Sequence, residues 1–219
     1  MKSNNRSDMS SKKRSKGQKV AKRARQRRDP HEGTHEGIPY ESGCELAFLH
    51  WAFALKNKGF ISVIRRSPSF LLCDALINNY AEQLKRGSKS VQQTITKGHT
   101  YTPDFVVVFT ERAVGKFVWD LESSSRWDRN LFVGHREEGG LLSYVEVKPD
   151  FDRNNTTSKA VNDMKWVFQK YQLYINLFKP DHRFKLTFCP EEYTYTERGK
   201  KRKLRFEPRT LQQYLNSIT

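Results

Sequence analysis

Glu146 and Lys148 stand two residues apart in the run LSYVEVK (142–148), and on an extended strand that spacing puts both side chains on one face of the sheet. Val145 and Val147, on the opposite face, would anchor the strand in a core. Asp104 follows Pro103 just before the apolar run FVVVF, which sets its carboxylate at a strand mouth. Glu45 lies one turn into a predicted helix, with Glu41, four residues earlier on the same side, as the alternative. Three carboxylates and an ammonium, without His or Cys, suit a hard octahedral cation such as Mg²⁺, with Mn²⁺ able to substitute. Such a cation serves phosphodiester hydrolysis by activating water, offsetting phosphate charge and stabilising the departing alkoxide. In that chemistry Asp104 and Glu146 share the cation and Lys148 orients the attacking water. Each residue alone has a plainer reading. Pro-Asp is usually a turn, Glu-x-Lys usually a surface ion pair of little worth, and an acid on an amphipathic helix is usually solvated. Their joint occurrence on predicted core elements, with a helix straight after EVK, is what singles them out.

The elements that must position these residues follow from periodicity. The segment SGCELAFLHWAFALKNKG predicts a helix over about 43–57, with Ser42 as N-cap and Gly59 as stop. FISVIRR reads as the strand it packs against, and 69–86 as a second helix. VQQTIT and YTPDFVVVF, separated by Lys97, Gly98 and His99, read as a hairpin. Residues 110–143 read as extra strands or a lobe between two core strands. After the strand ending at Pro149, a helix is expected over about 158–178, with Val161, Met164, Val167, Phe168 and Tyr171 on its buried side; HRFKLTF is then the last core strand and TLQQYLNSI a terminal helix. This order predicts an α/β sandwich around one mixed sheet flanked by helices. Three regions are expected: an arm and linker over 1–38, a catalytic domain over 39–192 with insertions at about 69–96 and 110–143, and a basic extension over 193–219.

SGCE at 42–45, KNKGF about fifteen residues later, HTYTPDF at 99–105 and YVEVK at 144–148 resemble, in the same order, the blocks of the phage junction-resolving enzyme endonuclease I. The resemblance implies the restriction-endonuclease-like PD-(D/E)XK fold, with Glu45, Asp104 and Glu146 as metal ligands and Lys148 as the water-positioning residue. It also implies branched or four-way junction DNA as substrate and a homodimer that cuts two strands. Transposon end-cleaving nucleases of the TnsA type share the helix acid, the PD strand and the E-x-K strand; that likeness implies cutting of DNA ends with a partner protein. Both insertions depart from the endonuclease I pattern, in which PD and E-x-K form a short hairpin.

The charge is consistent with DNA. Residues 1–28 hold twelve Lys or Arg against the single acid Asp8, so they carry +11 of the total +16 and the remaining 191 residues carry +5. Such a segment cannot bury enough apolar surface to order itself and is expected to be a disordered arm when free. Lys12, Lys13, Arg14, Arg23, Arg25, Arg27 and Arg28 would lie along phosphates, as would Lys200, Lys201, Arg202 and Lys203 in a second cluster. A non-catalytic DNA-binding or packaging protein would explain this charge but not the ordered acids. Lys165, Gln169 and Lys170 are candidates to face the scissile phosphate, and Trp119, Trp127 and Arg126 to stack on an unpaired base, against plainer readings as helix polarity and lobe packing. Cys44, Cys73 and Cys189 are odd in number and far apart, which argues against disulfides or a zinc site. His31-Glu32-Gly33-Thr34-His35 matches H-E-x-x-H, yet Pro30, Gly33, Gly37 and Pro39 oppose the helix that motif needs. No run approaches the roughly 18 apolar residues of a membrane span, and a cytoplasmic location in a prokaryotic or phage-infected cell is expected.

Overall fold

A computed structural model describes residues 32–151, 155–196 and 199–218. The described chain opens with a small antiparallel hairpin, β1 (Gly33–His35) and β2 (Ile38–Tyr40), and enters α1 (Gly43–Asn57). Ser42 caps this helix from the extended conformation, its hydroxyl accepting the Glu45 N–H, and Gly59 leaves it in the left-handed region at φ 75°. Then come β3 (Ile61–Arg66), β4 (Phe70–Cys73), β5 (Leu76–Leu84), β6 (Gly87–Thr96), β7 (His99–Tyr101) and β8 (Phe105–Phe109). After β9 (Val118–Asp120), β10 (Phe132–Glu137) and β11 (Gly140–Val147) the chain forms α2 (Thr156–Tyr171), β12 (Ile175–Phe178), α3 (Pro180–Leu186) and α4 (Leu211–Ser217).

Six strands make the central mixed sheet expected from the sequence. β11 lies inside it, antiparallel to β8, which in turn pairs antiparallel with β3. The other side of β11 is shared: β10 pairs antiparallel with its first residues and β12 parallel with its last, while β9 extends the sheet beyond β10. Asn176 fills the fork. Its amide donates to the carbonyls of Val133 and Tyr144 and its oxygen accepts the Val133 N–H, so the split leaves few backbone groups unpaired. Gly140 starts β11 at φ 149°, where a Cβ would drive into the Phe109 carbonyl oxygen. Only glycine lets β11 lie this close to β8.

Strand alternation divides the core in two. Phe105, Val107, Phe109, Val145 and Val147 face α1, whose Phe48, Trp51 and Leu55 join Phe178, Phe184 and Tyr214 in one cluster. Val106, Leu142 and Tyr144 face the other way, toward Phe70, Leu72 and Tyr101 and toward Val167 of α2. All of β11 is therefore buried.

Several expectations are corrected. The second helix expected at 69–86 is extended: β5 pairs with β6 in a ribbon exposed on both faces, where no burial pattern distinguishes strand from helix. VQQTIT consequently pairs with β5 instead of the PD strand, and β7 pairs with β4. The helix after EVK stops at Tyr171 because Gln172 turns left-handed at φ 57°; Phe168 and Tyr171 are exposed, and Ala160 joins Val167 on the buried side. The last core strand is β12, whereas HRFKLTF is mostly α3, started by Pro180 and capped by Asp150, whose carboxylate accepts the N–H groups of Asp181 and His182 at 2.8 and 3.0 Å. Residues 110–143 supply β9 and β10 to the same sheet. The boundaries move as well: His35 packs on His50 and Phe53, so the folded body begins by Gly33, and Leu204, Phe206 and Tyr214 of the C-terminal segment pack into the main core. The basic arm, with Lys12, Lys13, Arg14, Arg23, Arg25, Arg27 and Arg28, lies outside the described residues. No helix among the described residues is long and apolar enough to cross a membrane.

Candidate active site

The β8–β11 register places Val145 opposite Phe105, and one further step sets Asp104 opposite Glu146 on the face toward α2. Asp104 Oδ2 accepts the Val147 N–H at 2.7 Å, which binds the mouth of β8 to the end of β11. Burial pushes the Asp104 carboxyl up to about 7; the negative charge of Glu146 adds to this, and the Val147 N–H and the Lys148 ammonium oppose it. Glu146 is 4% exposed and fully engaged: Oε2 accepts the Tyr101 hydroxyl at 2.8 Å, and Oε1 pairs with Lys148 Nζ at 2.5 Å. Burial disfavours the Lys148 ammonium, but the hydrogen bond and charge of Glu146, helped by Asp104 and Glu45, raise its pKa above the ordinary lysine value. It therefore remains a cation at neutral pH. Desolvation, then the charge and hydrogen bond of Glu146, also raise the Tyr101 phenol, which stays a donor.

Glu45 reaches the same rim from the first turn of α1. Its charge acts on both Asp104 and Lys148, and its own carboxylate is held by Arg66 Nη1 at 2.7 Å, the Glu41 N–H and the Ser42 hydroxyl. Of the two helix-side candidates Glu45 is the buried one; the Glu41 side chain is 80% exposed and stands 3.9 Å from Arg66. Asp104, Glu146, Lys148 and Glu45 thus share one electrostatic neighbourhood, although they come from three separate elements.

Whether they suit a divalent cation turns on donors and position. All three acids offer hard oxygen ligands, and Asp104 faces Glu146 with its charge disfavoured by burial, a cost that a bound cation would offset. As placed, Arg66 and Lys148 occupy the carboxylates that a cation would use, and among the described residues no three His, Cys, Asp or Glu side chains stand close enough together to hold a metal. The set fits in chemistry; Glu45 joins it only if Arg66 releases it.

Four participants escaped the sequence reading. Tyr101 lies inside TYTPDF, and a buried tyrosine hydroxyl seeks a partner; that signal was available. Arg66 and the pair His99–Asp163, with His99 Nε2 and Asp163 Oδ1 at 2.8 Å, are tertiary contacts that local spacing does not reveal. Through Asp163 the first half of α2 borders the site. Lys170 and Tyr171, at the other end of α2, both donate to the Leu71 carbonyl and hold β4, while Lys165 borders an apolar groove with Met164 and Phe168. Gln169 is exposed beside them. Trp119 donates to Ser125, and Trp127 leans its edge on Tyr174. Gly33-Thr34-His35 is strand, not helix.

The second basic cluster borders the site's end of α1. Arg202 shares a shallow pocket with Ser42, Gly43 and Cys44, and it stacks over Tyr193 at 4.8 Å while donating to the Tyr195 carbonyl. Lys200, Lys201 and Lys203 are exposed around it. A broad concavity lies elsewhere, between α1 and the C-terminal segment, and contains none of the four residues. No family model, curated protein or solved structure matches this chain.

Proposed function

We propose that the protein is a Mg²⁺-dependent endonuclease that hydrolyses phosphodiesters of DNA, with branched and four-way junction DNA preferred. The observation that carries the reading is the meeting of Asp104 and Glu146 where β8 begins and β11 ends, Asp104 accepting the Val147 N–H and Lys148 pairing with Glu146. A structural ion pair alone would not require a second buried carboxyl, raised to about 7, at the same mouth. Helix, three antiparallel strands, helix and parallel strand, carrying the acids in this order, also support the PD-(D/E)XK resemblance.

Asp104 and Glu146 would hold the cation, with Glu45 as a further ligand. Bound there, Mg²⁺ supplies an activated water and neutralises charge on the phosphate. Lys148, kept protonated by its acidic neighbours, acts as a donor that orients water or a phosphate oxygen and not as a base. Tyr101 holds Glu146 in its rotamer through Oε2. Lys200, Lys201, Arg202 and Lys203, with the basic arm, supply salt-sensitive affinity for phosphates. The preference for junctions and a homodimer with two sites follow the endonuclease I resemblance.

The test compares wild type with Asp104→Asn on junction and linear DNA in Mg²⁺ or Mn²⁺. Cutting by wild type, lost in the variant with binding retained, is the expected result. If wild type binds but cuts neither substrate with either metal, the protein is a DNA-binding protein without this activity.

A further inference from the structure

The ribbon between β4 and β7 offers chemistry that the catalytic rim does not use. Cys73 pairs with His99 and Leu76 with Thr96, so β4 with β7 and β5 with β6 follow one another as two stretches of one long hairpin. The register slips between Leu71 and Cys73 and between Leu76 and Ile77, and at Gly98, between the two stretches, the arms crowd so closely that a Cβ would sit 3.3 Å from the Ala75 nitrogen and the Cys73 carbonyl oxygen. Its base is fixed to the site through Tyr101–Glu146 and His99–Asp163. Beyond the base, nine residues of β5 and ten of β6 are exposed on both faces, apart from a half-buried Val91. At the usual rise per residue they reach roughly 30 Å.

Cross-strand partners share a face, and the two faces differ. One carries Asn78 opposite Gln93, Tyr80 opposite Val91 and Glu82 opposite Lys89; the other carries Ile77 opposite Thr94, Asn79 opposite Gln92, Ala81 opposite Ser90, and Gln83 opposite Ser88. Apart from Ile77 near its base and Ala81, the second face is amide and hydroxyl, and the turn at the tip is Lys85-Arg86. Amides pair with adenine edges in the major groove, hydroxyls with several edges, and a two-stranded ribbon fits that groove. Burying this face against protein would leave its amides needing partners, whereas base edges supply them and the basic tip suits phosphates.

Resting on the nuclease reading only for the presence of DNA, we infer that the ribbon lies in the major groove of duplex DNA flanking the cut. Asn79, Gln83 and Gln92 then read base edges, giving cleavage a local sequence preference. The test selects duplexes containing a randomised segment for binding to the full-length protein in EDTA, so that no cleavage is needed. Wild type should enrich particular bases at adjacent positions about fivefold or more, the lower end for a bidentate amide contact. N79A/Q83A/Q92A should abolish the enrichment at unchanged thermal stability, and K85A/R86A should weaken binding to all sequences alike. No enrichment by wild type, or enrichment unaltered in the triple variant, overturns the inference. A triple variant whose mass in light scattering falls while its DNA selection is unchanged assigns the ribbon to a second copy of the chain and overturns it as well. Enrichment lost in the variant, alongside a wild type that cuts no DNA in Mg²⁺, supports the ribbon and refutes only the nuclease reading.

Discussion

The rim that carries Asp104, Glu146 and Lys148 and the ribbon β5–β6 are joined by β7, yet they are held by different physics. At the rim β8 and β11 are packed on two faces, and buried polar groups survive because each has a partner: Glu146 has Tyr101 and Lys148, Glu45 has Arg66, and Asp104 has the Val147 N–H. In the ribbon nothing but cross-strand pairing holds the strands, and large apolar side chains such as Leu76, Leu84 and Ile95 are more than half exposed. Side chains at the rim are thus fixed before any ligand arrives; those of the ribbon are available to whatever surface they meet. Substitutions should therefore be costly and specific at the rim, and nearly silent for stability in the ribbon.

The largest effect is expected at Lys148. Lys148→Ala removes the ammonium that pairs with Glu146 and leaves that buried carboxylate with the Tyr101 hydroxyl on its other oxygen. Single-turnover cleavage of junction DNA should fall about a thousandfold, within the usual range for a positioned catalytic group, while affinity measured in Ca²⁺ or EDTA changes little. Cleavage within tenfold of wild type would remove Lys148 from the chemistry. Next is Gly140→Ala, which tests the scaffold beneath the site. The added methyl meets the Phe109 carbonyl at a φ of 149°, so β11 must shift from β8, and unfolding in urea should show a loss of about 3 kcal/mol or more. An unchanged midpoint would mean that the two strands are not in this register.

What was legible in the sequence follows the same division. α1, β3, β8 and β11 were read closely because burial imprints a period on them: Ser42 and Gly59 bound the helix, and Val145 and Val147 alternate with Glu146 and Lys148. The acids could be proposed together because strand ends and a helix start lie close to one another in such a sandwich. β5, the first arm of the ribbon, was read as helix because, with both faces solvated, its residues carry no period of burial at all. β12 was hidden for the opposite reason. Its apolar run follows closely on α2, and only the three residues 172–174, beginning with the left-handed Gln172, separate them. α3 owes its form to Pro180 and to a cap from Asp150, thirty-one residues before Asp181, a pairing that no local window contains. Arg66 escaped likewise, since its bond to Glu45 spans twenty-one residues.

Asp104→Asn should give a smaller, pH-dependent effect on stability. The folded carboxyl titrates near 7, above its ordinary 3.8, so folding binds its proton more tightly than the unfolded chain does. Wild type consequently loses stability as pH rises from about 4 to 7, and the loss is complete above 7. Asparagine does not titrate. In EDTA the variant should exceed wild type at pH 8 by an amount on the order of 3 kcal/mol, and the gap should close by pH 4. Mg²⁺ should narrow the gap at pH 8 by stabilising wild type alone. A difference that does not vary with pH would mean that Asp104 is not held in a buried, acid-lined mouth.

The smallest effect is expected in the ribbon and sharpens the contrast most. Tyr80 is 44% exposed and faces only Val91 across the ribbon, and Ile95 is 60% exposed. Tyr80→Ser and Ile95→Ser should each change unfolding free energy by less than about 0.5 kcal/mol, as for surface positions free of core contacts. Cleavage of a fixed junction should stay within about twofold, since neither residue touches the rim. Losses above about 2 kcal/mol would show instead that the ribbon packs on something in solution. Because oligomers are stabilised by mass action, a midpoint that rises with protein concentration in wild type but not in these variants would identify that surface as a second copy of the chain. A midpoint independent of concentration leaves the ribbon free for DNA.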